Sequence, residues 1–371
     1  MRRSSRRTFL HGQPFERTWR AKDSSSRSQR LPPEDKEKDT LMKAILMERP
    51  GPPEVLRYVD VPMPKPAPGQ VLVRSHSIGV GMPEVLVRRG EYSWMPPLPA
   101  IPGIEMSGVV EKLGEGVTSL KVGQAVFVSA RELNVRGGCY AEYIAADAEA
   151  LYPLPDGVDL EAAAALSNYQ VAWHLLNSAT NGMRYRSLLA TAAAGGVGSA
   201  LVQLGKLAGK RVIGIVDTDE RAAFALSLGA DGAVNYRSQN VTECVLGMTA
   251  GRGVDMILDS IGGRGFADQF ERLAPFGLLV SYGFLDGPPG GDVLGAMNKR
   301  QSDCLGMRIF SMHAFDQDRP KRREATEDIL RLFAAGTIRP PIWARLPLGE
   351  AGKAQALLEE GRVLGKVILK P

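Results

Sequence analysis

Cysteine is scarce in this chain. There are three in 371 residues, Cys139, Cys244 and Cys304, all far apart. Three thiols cannot build a four-thiolate zinc lobe, and an odd three is not a disulfide framework. A reducing compartment is therefore expected. Long apolar runs are also missing: no stretch approaches the roughly 18 residues of a membrane helix. The body lacks an excess of positive charge as well. The formal net charge is +5, but residues 1–40 hold 11 Lys/Arg and 6 Asp/Glu. The rest of the chain has 35 of each sign, so the pI of about 9.1 reports the extension. The body thus lacks the net-charge footprint expected of a nucleic-acid-binding surface.

The extension itself is rich in Arg and Ser and poor in apolar periodicity. Ser5-Arg6-Arg7-Thr8-Phe9-Leu10 has the look of a twin-arginine export signal. The apolar segment such a signal needs does not follow; His11 to Arg17 is polar. A disordered basic extension over residues 1–40 is the expectation, with an organellar transit peptide as the alternative. The folded chain is expected to start at Met42-Lys43-Ala44-Ile45, and a cytoplasmic location is expected.

The richest feature present is Ala192-Ala193-Ala194-Gly195-Gly196-Val197-Gly198. It follows the apolar run Leu188-Leu189-Ala190 and opens a helical pattern from Val197 to Ala208. A second apolar run, Arg211 to Val216, then leads into Asp217. Strand, glycine turn, helix and strand form the context of a dinucleotide fingerprint. Its glycines let backbone N–H groups approach a pyrophosphate, whose charge the helix N-terminus favours. Ala193 stands at the first glycine position. The plain alternative is a tight turn in an ordinary α/β unit.

From Met42 to about Val158 the chain reads as short strands and turns, a compact β-rich region. Glu161 to Asn177 is an apolar helical stretch. Beyond it, strands alternate with helices at 187–192, 211–216, 232–235, 254–259, 277–282 and 305–310. Six alternating strands predict a doubly wound parallel sheet. A helix from Arg323 to Ala335 follows, then a strand from Trp343 to Leu348. A mostly helical stretch, Gly349 to Glu360, precedes a last strand at Val367-Ile368-Leu369. That strand is expected to complete the N-terminal β region.

Several segments occur together in a specific order: Pro53-Glu54-Val55-Leu56, Pro68 to Val73, Ile101-Pro102-Gly103-Ile104-Glu105, Ala192 to Gly198, Gly251 to Asp255 and Asp259 to Gly263. The ordered set resembles the medium-chain dehydrogenase/reductase superfamily, in its zinc-independent quinone oxidoreductase branch, over about residues 42–371. The resemblance implies a Rossmann doubly wound sheet over residues 166–310. It also implies a GroES-like β-rich domain over residues 42–165 and 311–371. Related alcohol dehydrogenases have a zinc-ligating Cys in the segment Gly79 to Glu84 and a His where this chain has Ile104. Neither ligand is present, so no zinc is expected; a catalytic zinc takes three protein ligands.

The resemblance further implies a cofactor-binding set: Ala193, Gly195, Gly196, Val197, Gly198, Asp217, Arg221, Tyr236, Ser260, Gly283 and Lys366. An acid ending the second strand binds a ribose 2′-OH and favours NADH. Here the family's acid position falls at Val216, one residue before Asp217. Arg221 and Tyr236 match the residues flanking a 2′-phosphate, so NADPH is expected over NADH. Lys366 matches another cofactor-side position; a solvated lysine is the plain alternative. Tyr92 matches a substrate-side tyrosine, and Gly81 falls where the quinone reductases have an Asn beside the nicotinamide. Ala172 replaces a Thr at the nicotinamide amide. Asn168-Tyr169 resembles the variant of vesicle-transport relatives. The implied activity is hydride transfer from NADPH to quinones. The alternatives are reduction of α,β-unsaturated carbonyls, or a catalytically weak NADPH-binding, redox-linked protein. A homodimer through the apolar strand near 305–310 is expected, with no membrane or nucleic-acid partner.

Overall fold

A computed structural model describes residues 40–371, and the basic extension lies outside them. The first part is built from short strands: β1 (Leu41–Met47), β2 (Leu56–Pro62), β3 (Gln70–Val80), β4 (Glu105–Leu113), β5 (Ala125–Ser129), β6 (Tyr143–Asp147) and β7 (Leu151–Pro153). One helix, α1 (Met82–Arg89), leaves the end of β3. Met106, Val110, Val126 and Val128 alternate inward along β4 and β5 and form its core with Val71 and Val73. This is the GroES-like domain expected from the sequence.

The apolar stretch after Asp159 divides into α2 (Leu160–Ala163) and α3 (Leu166–Asn177), rather than the single helix expected. Then come β8 (Ser187–Thr191), α4 (Gly196–Leu207), β9 (Arg211–Val216), α5 (Asp219–Ser227), β10 (Gly232–Asn235), α6 (Val241–Met248), β11 (Val254–Asp259), β12 (Leu273–Ser281), α7 (Val293–Lys299) and β13 (Gly306–Ile309). The six strands pair in parallel in the order β10-β9-β8-β11-β12-β13. Every residue of β8 and β11 is buried, as a parallel sheet covered on both faces requires. The strand order reverses between β8 and β11. The crevice outside the carboxyl ends of those two strands is where this architecture takes a ligand.

The chain closes with α8 (Arg319–Ala334), β14 (Ile342–Pro347), α9 (Ala351–Glu359) and β15 (Lys366–Lys370). β15 runs antiparallel to β3, placing Val367 opposite Val80 and Ile368 opposite Gly79. The last strand therefore completes the N-terminal sheet, as its sequence suggested. α8 does something else: its Ile329 and Phe333 pack into the core shared with α3 and α4. Gln170 of α3 donates to Thr326 of α8 at 2.8 Å, and Trp173 donates to Asp328 at 3.1 Å.

Candidate active site and cofactor cleft

The fingerprint loop joins β8 to α4 through a tight turn with close approaches. Ala192 takes a left-handed φ of 49°. The Gly195 N–H donates to the Ala192 carbonyl at 2.9 Å and closes the turn. A side chain on Gly198 would start 2.6 Å from the Ala193 Cα, so helix and strand could not approach as they do. A side chain on Gly196 would start 2.9 Å from Asn168 Cγ, because that amide from α3 lies over the loop. No side chain caps the α4 N-terminus at Gly195, whereas Thr218 caps α5 and Asn240 caps α6. The first-turn N–H groups of α4, Val197 among them, have no carbonyl within the helix to bond. A bound pyrophosphate would supply that acceptor, so the loop fits a dinucleotide.

Ala193 at the first glycine position has a visible compensation. It is fully buried, and a side chain on Gly214 of β9 would start 2.7 Å from its Cβ. The methyl gained at Ala193 is thus accommodated by the glycine of β9.

The strand ends bring the other predicted residues to the same edge. Ser260, just after β11, donates its N–H to Thr191 Oγ1 at the end of β8. Gly283 follows β12, and a side chain there would start 2.9 Å from the Ser260 carbonyl oxygen. Asp217 follows β9, and Arg221 on α5 pairs with it at 2.5 Å. Tyr236 follows β10, donates its N–H to the Val216 carbonyl at 2.9 Å and is half exposed. Two neighbours were missed from sequence. Arg237 reaches the second Asp217 oxygen at 3.9 Å. A side chain on Gly361 would start 3.9 Å from Arg221 Nη2, which sets the Glu360–Arg362 turn against this corner. The adjacency Tyr236-Arg237 was the available signal for the first; nothing local marked the second.

Lys366 is not a solvated lysine. It is buried, and its ammonium pairs with the equally buried Glu105 carboxylate. Glu105 Oε2 also accepts the Ser167 N–H, at the start of α3, at 2.8 Å. Above this pair sits Gly81, the N-cap of α1. A side chain at Gly81 would start 3.5 Å from Lys366 Nζ and 3.1 Å from Glu84 Oε2. Glu84 is buried and accepts the N–H groups of Gly81 and Ile104 at 3.1 and 3.2 Å. Burial pushes its carboxyl up to about 7, with Lys366 opposing and Glu105 adding to the rise. Glu84 was not singled out from sequence. Next door, the Gly365 N–H donates to the Ala194 carbonyl at 2.8 Å. That bond ties the strand carrying Lys366 to the fingerprint loop. Ala172 is buried in α3 with no polar group to offer.

Tyr92 follows α1 and places its hydroxyl 2.9 Å from His313 Nε2. Burial raises its pKa, and Glu84 adds to the rise. Among the described residues no group of three or more His, Cys, Asp or Glu is arranged to hold a metal. No helix there is long and apolar enough to cross a membrane.

Comparison with known proteins agrees with this fold. Residues 67–156 match the alcohol dehydrogenase GroES-like domain, and residues 228–369 match the family described as zinc-binding dehydrogenase. A quinone oxidoreductase of Pseudomonas aeruginosa is 34% identical over 89% of this chain and 100% of its own length. The crystal structure of an Escherichia coli quinone oxidoreductase complexed with NADPH superposes with a TM-score of 0.79 at 30% identity, covering 89% of this chain and 100% of that one. A human synaptic vesicle membrane protein VAT-1 homolog-like protein is similar at 26% identity and a TM-score of 0.74, over 89% of this chain and 98% of its own. With the fold, the fingerprint loop and these relatives in agreement, the chain is an oxidoreductase of the medium-chain dehydrogenase/reductase superfamily, among its quinone oxidoreductases.

Proposed function

We propose that this protein is an NADPH-dependent, zinc-independent reductase of quinones. The observation that carries the reading is the bond from Gly365 to Ala194. It sets the Lys366–Glu105 pair, Gly81 and Glu84 beside the loop proposed to receive the pyrophosphate. A nicotinamide cofactor would be held at its diphosphate by that loop, with Gly81 and Lys366 beside it. Where related alcohol dehydrogenases have a zinc-ligating His, Ile104 has an apolar side chain; its N–H goes to Glu84 and its carbonyl accepts from Ala130.

The bound reduced nicotinamide supplies a hydride to the acceptor. The chain's own residues bind, orient and protonate. Ala193 to Gly198 cradle the diphosphate, and Ser260 and Gly283 line the crevice between strand ends. Arg221 and Tyr236 meet the 2′-phosphate with a cation and a hydroxyl. Lys366 and Glu105 pair in the floor below Gly81, whose missing side chain would meet Glu84 and Lys366. An acceptor that delocalises the incoming charge would need little from the chain beyond positioning. Tyr92 supplies the proton on the substrate side. The E. coli relative's complex with NADPH supports the cofactor assignment. We further propose that two copies pair through β13, an edge strand whose Ile309 is exposed.

Oxidation of NADPH assayed with a panel of quinones and α,β-unsaturated carbonyls tests the reading. Turnover with quinones is expected. Turnover confined to the unsaturated carbonyls would move the substrate class. No turnover with either would leave a cofactor-binding protein.

A further inference from the structure

The Tyr92 hydroxyl does not end at His313. The other imidazole nitrogen, Nδ1, lies 2.9 Å from Asp316 Oδ2. The same Nδ1 is 2.7 Å from Arg136 Nη1. Arg136 and Arg131 both reach Asp316 Oδ1, at 2.5 and 3.2 Å. Trp94 stacks on the imidazole with ring centroids 3.1 Å apart and planes 6° from parallel. The side chain of His313 is 10% exposed and that of Asp316 19%. Three segments distant in sequence thus build a phenol–imidazole–carboxylate chain: the loop after α1, the loop around 131–136, and the turn at 312–316.

The arrangement holds the ring in either tautomer without orphaning a nitrogen. With the proton on Nδ1, the ring donates to Asp316 and Nε2 accepts from Tyr92. With the proton on Nε2, the ring donates to Tyr92 and Nδ1 accepts from Arg136, whose guanidinium is donor-only. The second setting turns the Tyr92 proton free of His313 and toward a substrate oxygen. With both nitrogens protonated, Asp316 and Tyr92 accept one N–H each.

We propose that His313, anchored by Asp316, is a positioning residue that aims the Tyr92 hydroxyl and returns its proton. The proposal rests on the quinone-reductase reading above. As the substrate oxygen takes the Tyr92 proton, the Oη–H bond breaks and the new O–H bond forms. The phenolate then takes the Nε2 proton of the imidazolium. His313 is left neutral, its Nδ1–H on Asp316, and water at the working pH restores the lost proton. The electron pair arrives with the hydride, so nothing in the relay is oxidised or reduced. One proton is drawn from water in each cycle.

The charged and titratable groups facing the ring are Tyr92, Asp316, Arg131 and Arg136. Burial first, then the two arginines, holds His313 below its ordinary value of 6.5, while Asp316 opposes them. The imidazolium fraction therefore falls as pH rises through a value below 6.5, and kcat should rise as pH falls toward it.

His313→Gln in the full-length protein, assayed with NADPH and a quinone, tests the relay. The expected result is a kcat loss of about tenfold at pH 6. NADPH affinity should be unchanged, and the acid rise in kcat should be flattened. Tyr92→Phe should lose as much or more, and the double variant no more than Tyr92→Phe alone. A kcat and pH profile unchanged by His313→Gln, or losses that add, would overturn the relay. Imidazole NMR of the cofactor-free protein gives a readout independent of turnover. There Asp316→Asn should lower the His313 pKa and Tyr92→Phe should move its Nε2 resonance. Resonances unmoved by both would overturn the chain of bonds. A wild-type protein that oxidises NADPH with none of the acceptors offered would sink the reductase reading and the relay with it, whereas an active wild type with an indifferent His313→Gln would sink the relay alone.

Discussion

Arg221 and Asp217 illustrate why a cofactor preference is a balance of neighbouring charges. In the free protein the guanidinium is engaged by Asp217 at 2.5 Å. A 2′-phosphate brings a stronger charge to the same fork, and Arg237 stands ready to share Asp217. Arg221→Ala removes the attraction and leaves Asp217 facing the phosphate without its nearest cation. Both effects fall on NADPH, while a ribose hydroxyl can still donate to Asp217. NADPH binding measured by calorimetry should weaken by about 2 kcal/mol, roughly thirtyfold, with NADH little changed. Equal losses would contradict the assignment. Glu84 gives a second prediction at this scale. Its folded-state pKa of about 7 lies above the ordinary 4.5, so the native state binds its proton more tightly than the unfolded state. The stability this contributes is complete below about pH 4.5 and is lost as pH rises through about 7. Glu84→Gln should flatten denaturant-derived stability across that window by about 3 kcal/mol. A variant with the wild-type slope would show that Glu84 titrates normally.

Among the elements, the pair β8 and β9 with α4 shows which parts of the site were legible in the sequence. The strands read as apolar runs because both faces of a parallel sheet are buried, and all six appeared within a few residues of their places. The glycine loop was legible because its glycines answer local backbone demands. The division between α2 and α3 was not, since Ala162 to Ala165 has no periodicity for either reading. The start of α8 was misplaced at Arg323, although Asp318 caps the helix and Pro320 sits in its first turn. The pairs Glu105 with Lys366 and Tyr92 with His313 lie 261 and 221 residues apart in sequence. No local pattern announces such contacts; only the return of β15 to β3 and the placement of the 312–316 turn create them. The resemblance supplied Lys366 and Tyr92 as positions without their partners. The coupling of Ala193 to Gly214 is testable at this scale. Gly214→Ala puts two methyl carbons 2.7 Å apart and should cost about 1–3 kcal/mol. Ala193→Gly in the same chain should recover much of that loss. Independent, additive effects in thermal unfolding would show that the two strands do not meet there.

For the whole molecule, the crevice between the two domains and the free edge of the sheet make separate demands. β13 carries Gly306 to Ile309 at the end of the six-stranded sheet, with Ile309 two-thirds exposed at 66%. An apolar edge invites a two-fold partner, which would extend the ladder and cover the side chains. Sedimentation at micromolar concentration should give a dimer, and Ile309→Lys should shift it toward monomer while NADPH binding persists. A wild-type monomer would contradict the proposed pairing. The crevice is the more consequential feature, because every role assigned to Arg221, Lys366, Gly81 and Tyr92 presumes hydride transfer there. A single-turnover experiment tests this most directly. The protein preloaded with NADPH is mixed anaerobically with a quinone, and the reduced-nicotinamide absorbance is followed. A first-order loss of absorbance is expected that requires the quinone and slows when the transferred hydrogen is deuterium. Absorbance that persists with every quinone tried, while NADPH stays bound, would contradict it.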